Sequence, residues 1–132
     1  MILSGVEVSI VTLSNCQPRE EYVPSRVTAS SQHRSKERHV EAVDGERFAV
    51  AARILPEFDW HGATALDVRI EIDGGVLRQR YIMSKSKPYL ELSSYCRMRD
   101  GVWQRFGLAF GKLESGMRNY LLTARCAGTN HI

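Results

Sequence analysis

Strict alternation of apolar and polar residues is the dominant pattern along the chain. In the segment GVEVSIVT, the apolar residues Val6, Val8 and Ile10 occupy every second position. The same period of two recurs in LDVRIEI, residues 66 to 72. A period of two with many β-branched residues is typical of a strand that buries one face. The pattern therefore predicts a mainly β protein.

Three glycine-containing turn sequences separate the alternating runs into predicted hairpins. Asp44–Gly45 lies between RHVEAV and RFAVAARI, and Asp100–Gly101 lies between LSSYCRM and VWQRFGLAF. The third, DGG at residues 73 to 75, follows LDVRIEI. An Asp-Gly pair between two such runs favours a two-residue hairpin turn, because both turn positions need positive φ.

The register of the DGG hairpin is open between a turn at residues 73–74 and a turn at residues 74–75. Both registers place Leu77 and Tyr81 on the core face and leave Arg78 and Arg80 in water. A three-residue loop would bury the two arginines at a cost of several kcal/mol in solvation, so we exclude it.

The turn at Asp100–Gly101 predicts which residues face each other in the last hairpin. It pairs Met98 with Trp103 and Tyr95 with Phe106. The alternating residues 106, 108 and 110 are expected on the core face, so Trp103 and Met98 fall on the opposite face. A cysteine inside a strand is commonly a small buried thiol, which is the expectation for Cys96.

Two segments depart from the alternating pattern. Residues 14–36 are polar and rich in serine, which predicts a long loop with a short strand near residues 26–29. In the tail, residues 115–132, apolar side chains recur at the helical spacing i, i+3, i+4 and i+7: Met117, Tyr120, Leu121 and Ala124. That spacing predicts a short helix over residues 115–127, which we expect to pack over Trp103.

These elements together predict an antiparallel β-sandwich of about seven to eight strands with a short C-terminal helix. A chain of 132 residues is the length of one domain. We assign residues 1–114 to that domain and residues 115–132 to the tail.

Composition adds few constraints on function. The net charge of +3 and the pI of about 8.9 are mildly basic, without the dense Lys/Arg clusters of a strong nucleic-acid binder. Three widely spaced cysteines do not suit a disulfide scaffold. No secretory leader and no run of about 18 apolar residues is present, so the sequence predicts an intracellular protein that does not enter a membrane.

Acidic and histidine side chains are concentrated between residues 38 and 61, where an acid–base site would need them to converge. Six of these side chains are candidates for such a site: His39, Glu41, Asp44, Glu46, Asp59 and His61. Strand faces and turns account for each of them, so a hydrolase site built from His39 and Asp59 is the least favoured interpretation. The histidine and cysteine spacings do not match the common metal motifs, and phosphate-binding loops are absent. We expect no enzymatic activity, no metal and no cofactor.

Basic residues lie among aromatic ones in the second half of the chain. Arg78, Arg80, Lys85 and Lys87 lie close together in sequence, near several tyrosines and Trp103. The next hairpin adds three arginines: Arg97, Arg99 and Arg105. Such a surface can hold single-stranded nucleic acid. The alternative, which we favour, is a solvated strand face on which Arg78 or Arg80 pairs with Glu71 or Asp67 of the facing strand.

The order of these features resembles an uncharacterised family of small fungal domains, a domain of unknown function. The resemblance covers roughly residues 4–114. It rests on GVEVSIV, EEY, RHVEAVDGERFAV, the segment from FDW to LDVRIEIDGG, and WQRFGLAFGKLE. It implies a β-rich fold and a fungal origin, and it implies no activity and no functional residue.

The sequence therefore predicts a non-enzymatic interaction module that binds an unidentified protein. Weak binding of nucleic acid or another polyanion is the alternative. The candidate binding surface comprises six residues: Arg78, Arg80, Lys85, Lys87, Met98 and Trp103.

Overall fold

The computed structural model describes residues 1–23, 36–75 and 77–111, together with the strand residues 122–123 and 126–127. The strands in these ranges are β1 (Ile2–Leu3), β2 (Val6–Thr12), β3 (Gln17–Pro18), β4 (Glu21–Tyr22), β5 (Glu37–Val40), β6 (Phe48–Ile54), β7 (Leu66–Ile72), β8 (Leu77–Met83), β9 (Tyr89–Leu92), β10 (Ser94–Arg99), β11 (Val102–Gly107), β12 (Leu122–Thr123) and β13 (Cys126–Ala127). One 3-10 turn spans Asp73–Gly75. None of the described helical residues forms a segment long and apolar enough to cross a membrane.

The largest sheet is built around β2 and β6, which pair antiparallel from Val6 opposite Ile54 to Thr12 opposite Phe48. Its strand order is β1-β2-β6-β9, and β3 pairs with β2. Val6 and Ile10 are buried, as their alternation predicts. The apolar face of β6 is buried along its whole length, from Phe48 to Ile54.

Three smaller antiparallel sheets complete the described fold. Their strand orders are β12-β5-β4, β13-β7-β8 and β10-β11. One apolar cluster draws side chains from β2, β5, β6, β7, β8 and β9, together with Leu108 and Phe110. The mainly β, antiparallel prediction is confirmed, and sheets that share one core are compatible with a sandwich.

The DGG hairpin forms with one of the two predicted registers. Leu77 lies opposite Ile72, which is the register of a turn at residues 74–75. Leu77 and Tyr81 pack against the core, while Arg78 and Arg80 are exposed. The predicted side-chain alternation is therefore confirmed.

The predicted hairpin around Asp44–Gly45 is wrong. A turn does form there, since Gly45 has a φ of 74° and the Glu46 N–H donates to the Val43 carbonyl at 3.0 Å. However, β5 pairs with β4 and β12, whereas β6 pairs with β2 and β9. Because both edges of β6 are already occupied, the turn leads the chain from one sheet to another.

The predicted C-terminal helix is wrong for the four tail residues that the structure describes. Leu122 and Thr123 pair with β5, and Cys126 and Ala127 pair with β7. Free edges of those two strands offer the tail backbone hydrogen-bond partners, and pairing there overrides the helical spacing. The remaining tail residues, and the predicted short strand near residues 26–29, lie outside the described ranges. Within the predicted loop of residues 14–36, β3 and β4 form short pairs with β2 and β5.

Candidate functional site

Met98 and Trp103, the apolar members of the candidate surface, lie on the hairpin of β10 and β11. We call this hairpin, residues 94–107, the β10–β11 arm. Its turn residues Asp100 and Gly101 have φ values of 52° and 76°. Positive φ at both positions is the type I′ geometry whose twist matches a two-stranded ribbon. The resulting register places Met98 opposite Trp103 and Tyr95 opposite Phe106, as predicted.

The root of the arm is attached to the core by aromatic and backbone contacts. The Tyr95 and Phe106 rings stack with their centroids 5.5 Å apart, and Tyr95 packs against the core. Beyond β11, Leu108 and Phe110 are buried, and the Phe48 N–H donates to the Leu108 carbonyl at 3.1 Å. These contacts fix the direction in which the arm leaves the body of the domain.

The outer half of the arm is in solvent on both faces. Trp103 is 68% exposed and its cross-strand neighbour Met98 is 54% exposed. Val102, on the opposite face, is 59% exposed. Cys96 is also exposed, so the prediction that its thiol is buried is wrong. The strand alternation holds in the arm, but the core does not extend to its tip.

The backbone of the arm has unpaired edges among the residues that the structure describes, since no third described strand pairs with it. The Leu108 N–H donates to the Ser93 carbonyl at 2.9 Å, which makes Ser93 and Leu108 a hydrogen-bonded pair. Hydrogen-bonded and non-hydrogen-bonded pairs alternate along an antiparallel ladder. Trp103 opposite Met98 is therefore a non-hydrogen-bonded pair, and its backbone N–H and C=O groups point to the outer edges.

The two candidate arginines on β8 are engaged by carboxylates of β7. Arg78 Nε lies 3.8 Å from Glu71 Oε1, and Arg80 Nε donates to Asp67 Oδ1 at 2.9 Å. The hydrogen bond and the charge of Asp67 raise the pKa of Arg80. Asp67 is only 6% exposed, although its alternation predicted a solvent-facing residue. The charge pairing favoured from the sequence is therefore confirmed for this pair of strands, while the expected solvation of the whole face is wrong at Asp67.

The two candidate lysines lie in the turn between β8 and β9. Ser84 and Lys87 exchange backbone hydrogen bonds at 3.1 Å, which closes the turn. Lys85 Nζ lies 5.9 Å from the centroid of the Trp60 ring, and Trp60 packs edge-on against Phe58 at 4.9 Å. The six candidate residues thus form two groups: Met98 and Trp103 lie on the arm, and the four basic residues belong to β8 and the turn that follows it.

Four of the six candidate side chains between residues 38 and 61 have a partner among the described residues. His39 Nε2 lies 3.1 Å from Glu37 Oε1, and the His61 N–H donates to Asp59 Oδ1 at 2.9 Å. Glu46 pairs with Arg19. In the described ranges, no group of three or more His, Cys, Asp and Glu side chains is arranged to hold a metal ion.

Comparison with known proteins gives a family and no activity. A family model described as a domain of unknown function, DUF7918, matches residues 5–121. The chain belongs to this family. Neither the curated proteins nor the solved structures contain a significant match to this chain. The family resemblance found in the sequence is confirmed, while the fungal origin stays a prediction.

The arm of this DUF7918 domain also has a net positive charge, from residues that the six-residue candidate surface does not include. Three arginines and one aspartate lie within residues 94–107: Arg97, Arg99, Arg105 and Asp100. Arg97 lies 5.6 Å from the Tyr95 ring centroid, in cation–π geometry. Arg99 and Arg105 have no carboxylate partner among the described residues. Their position in the last hairpin was visible in the sequence, but their lack of a facing carboxylate depends on the pairing of β10 with β11.

Proposed function

We propose that the DUF7918 domain is a non-enzymatic interaction module and that the Met98–Trp103 face of its β10–β11 arm docks a protein partner. The observation that supports the proposal most strongly is the 68% exposure of Trp103, opposite a Met98 that is 54% exposed. Tryptophan is enriched among the residues that dominate binding energy at protein interfaces. A tryptophan on a hairpin that is anchored at its root also loses little conformational freedom when it binds.

We propose further that the protein is intracellular and fungal, as predicted from the sequence. Cys16 and Cys96 are free thiols and both are exposed. Exposed free thiols persist most readily in a reducing compartment. The local pairing of His39 with Glu37 and of His61 with Asp59 supports a non-enzymatic role, because neither histidine needs a substrate to account for its position.

The alternative, polyanion binding, receives more support from the arginines of the arm than from the two arginines of β8. Arg78 and Arg80 share their charge with Glu71 and Asp67, which weakens their attraction for phosphate. Arg99 and Arg105 are exposed on the arm. If a polyanion binds this domain, we expect the arm to hold it, with retention on heparin that falls steeply as salt is raised.

The test is affinity capture from nuclease-treated extract of the cells that make the chain, with three baits: the natural sequence, Met98→Ser with Trp103→Ser, and Ile82→Ser. Ile82 is a matched control, because it is 57% exposed but lies on β8. Loss of a tryptophan anchor costs about 2 kcal/mol or more, which is roughly thirtyfold in affinity. We expect proteins retained by the natural and Ile82→Ser baits to be lost from the double variant. Equal retention on all three baits, or retention only before nuclease treatment, would overturn the proposal.

A further inference from the structure

We infer that the partner contributes an extended, acidic segment that adds as a third strand to the outer edge of β11. This inference rests on the proposed function, because it specifies how the arm would be engaged. It follows from three properties of residues 94–107: backbone edges with which no third described strand pairs, the uneven distribution of charge between the two strands, and the sign of that charge.

The first property is the state of the backbone. An isolated two-stranded hairpin is only marginally stable in water, so the outer half of the arm, which lies beyond its anchored root, gains hydrogen bonds and side-chain contacts from a third strand. Trp103 and Arg105 occupy non-hydrogen-bonded positions in the β10–β11 ladder, opposite Met98 and Cys96. Their N–H and C=O groups therefore point outward along β11, in the arrangement that an added strand requires.

The second property is the distribution of charged side chains, which differs between the β10 edge and the β11 edge of the arm. Proteins commonly protect exposed strand edges with charged side chains. Along β10, Arg97 and Arg99 flank Met98, whereas along β11 the sequence VWQRFG has Arg105 as its only charge. The β11 edge is the less protected one, and its outward backbone groups include those of Trp103 itself. A strand added there places a side chain beside the indole ring.

The third property selects the chemistry of the added strand. The arm contains three arginines and one aspartate, a net charge of +2. Arg105 shares the Trp103 face, while Arg97 and Arg99 lie on the other face. A second copy of this chain would bring equal positive charge to the same edge and would be repelled. A segment with carboxylates around an apolar residue would cover Trp103, pair with Arg105 on the same face, and be attracted by the net positive charge of the arm.

The test measures amide hydrogen exchange by NMR in the full chain, with and without a short peptide built from Val, Thr and Glu. In the free protein, the outward amides of Trp103 and Arg105 should exchange fast, while those of Gln104 and Phe106, which face β10, should be slow. The peptide should slow exchange at Trp103 and Arg105 and leave the other two unchanged. The counterpart peptide with Lys for every Glu should bind at least about tenfold more weakly.

Two substitutions at one position separate the backbone contribution from the charge. Arg105→Ala removes the charge and keeps the N–H, whereas Arg105→Pro removes both at a position whose N–H faces the outer edge. We expect the proline variant to bind the acidic peptide about tenfold more weakly than the alanine variant, since one backbone hydrogen bond is lost. Slow exchange at Gln104 verifies that the arm of each variant is still folded. If the arm is unfolded in the proline variant, the natural sequence provides the test of strand addition. The acidic peptide must then slow amide exchange at Trp103 and Arg105.

Several results would overturn the inference. The acidic peptide could fail to bind, or the lysine peptide could bind equally well. A single-stranded oligonucleotide could bind more tightly than the acidic peptide. Finally, the acidic peptide could bind without slowing amide exchange at Trp103 and Arg105. In the last case the indole resonance of Trp103 would still shift, and the arm would remain a docking site through its side chains alone. Loss of captured proteins with the Met98 and Trp103 substitutions tests the proposed function separately.

Discussion

Phe48 is the side chain at which the arm root and the main sheet meet. It is 9% exposed, and its ring stacks on Phe110 with centroids 4.5 Å apart. Truncation to alanine would leave a cavity, so Phe48→Ala should lower the free energy of unfolding by about 3–5 kcal/mol. His39→Ala, which removes a half-buried pair with Glu37, should cost less than about 1 kcal/mol. Urea unfolding of both variants measures the difference, and the reverse ranking would show that the β6 faces are assigned incorrectly.

Arg78 and Arg80 should differ in their effect on stability, although both are exposed on β8. Arg80 bonds to Asp67, a carboxylate that is 7% exposed, while Arg78 faces Glu71, which is 57% exposed. Asp67 also lies 3.9 Å from Arg69, but Arg80 is its nearer partner. Removing the nearer partner of a buried carboxylate costs more than removing the partner of a solvated one. Arg80→Ala should therefore lower the melting temperature more than Arg78→Ala does. In an Asp67→Asn background the two alanine variants should become equivalent, and a persistent difference there would exclude Asp67 as the cause.

Single-residue orientation was largely predictable from alternation, because successive strand residues point to opposite faces wherever the strand lies. Leu77, Tyr81, Arg78 and Arg80 all follow that rule. Val102 shows the limit of the rule, because it shares the strand face of Phe106 and is nevertheless 59% exposed. Alternation assigns a face, but whether that face meets the core depends on how far the neighbouring sheets extend.

At the scale of one element, the turn of the arm depends on Gly101. Its φ is 76°, and a Cβ placed there would meet no atom within 4 Å. Gly101→Ala should therefore act through backbone strain alone, at about 1–2 kcal/mol. Amide exchange in the arm should accelerate while the melting temperature of the domain changes little, because the outer arm lies beyond the core. Gly111→Ala is the control, since Gly111 has open space and no positive φ. An equal loss in both variants would contradict the type I′ turn.

The same dipeptide gave different outcomes at two places in the chain. Asp100–Gly101 connects two paired strands, whereas Asp44–Gly45 connects strands of different sheets. The dipeptide determines that the backbone turns, and this part was predictable. Which strands then pair depends on competition for edges, and β2 and β9 occupy both edges of β6. That competition involves residues far apart in sequence.

At the scale of the whole molecule, the last residues contribute to the sheets. Deleting residues 122–132 removes β12 and β13 and exposes the edges of β5 and β7. The deletion should lower the free energy of unfolding by about 1–3 kcal/mol, through the lost backbone hydrogen bonds. Deleting only residues 128–132 keeps both strands and should be nearly neutral. In a Trp60→Phe background, Trp103 emission should stay that of an exposed indole in both truncations. A red shift of the Trp103 emission after the longer deletion would show that the tail packs over Trp103, as the sequence predicted.

The class of the fold was predictable from the sequence, but the arrangement of the tail was not. Alternation over most of the chain predicts antiparallel strands around one core, and the structure confirms both. Met117, Tyr120, Leu121 and Ala124 have helical spacing, yet the described residues beside them are strand. Tertiary pairing with open strand edges outweighs a short helical pattern, since isolated helices of this length are marginal in water.

The central claim is that a protein docks on the Met98–Trp103 face of the arm, and site-specific photo-crosslinking in living cells tests it most directly. A benzophenone amino acid is placed at Met98 in one variant and at Ile82 in another, since the two side chains are 54% and 57% exposed. We expect a protein adduct of defined mass from position 98, its loss when Trp103→Ser is added, and no such adduct from position 82. Equal adducts from both positions, or an adduct from position 98 that survives Trp103→Ser, would contradict the claim.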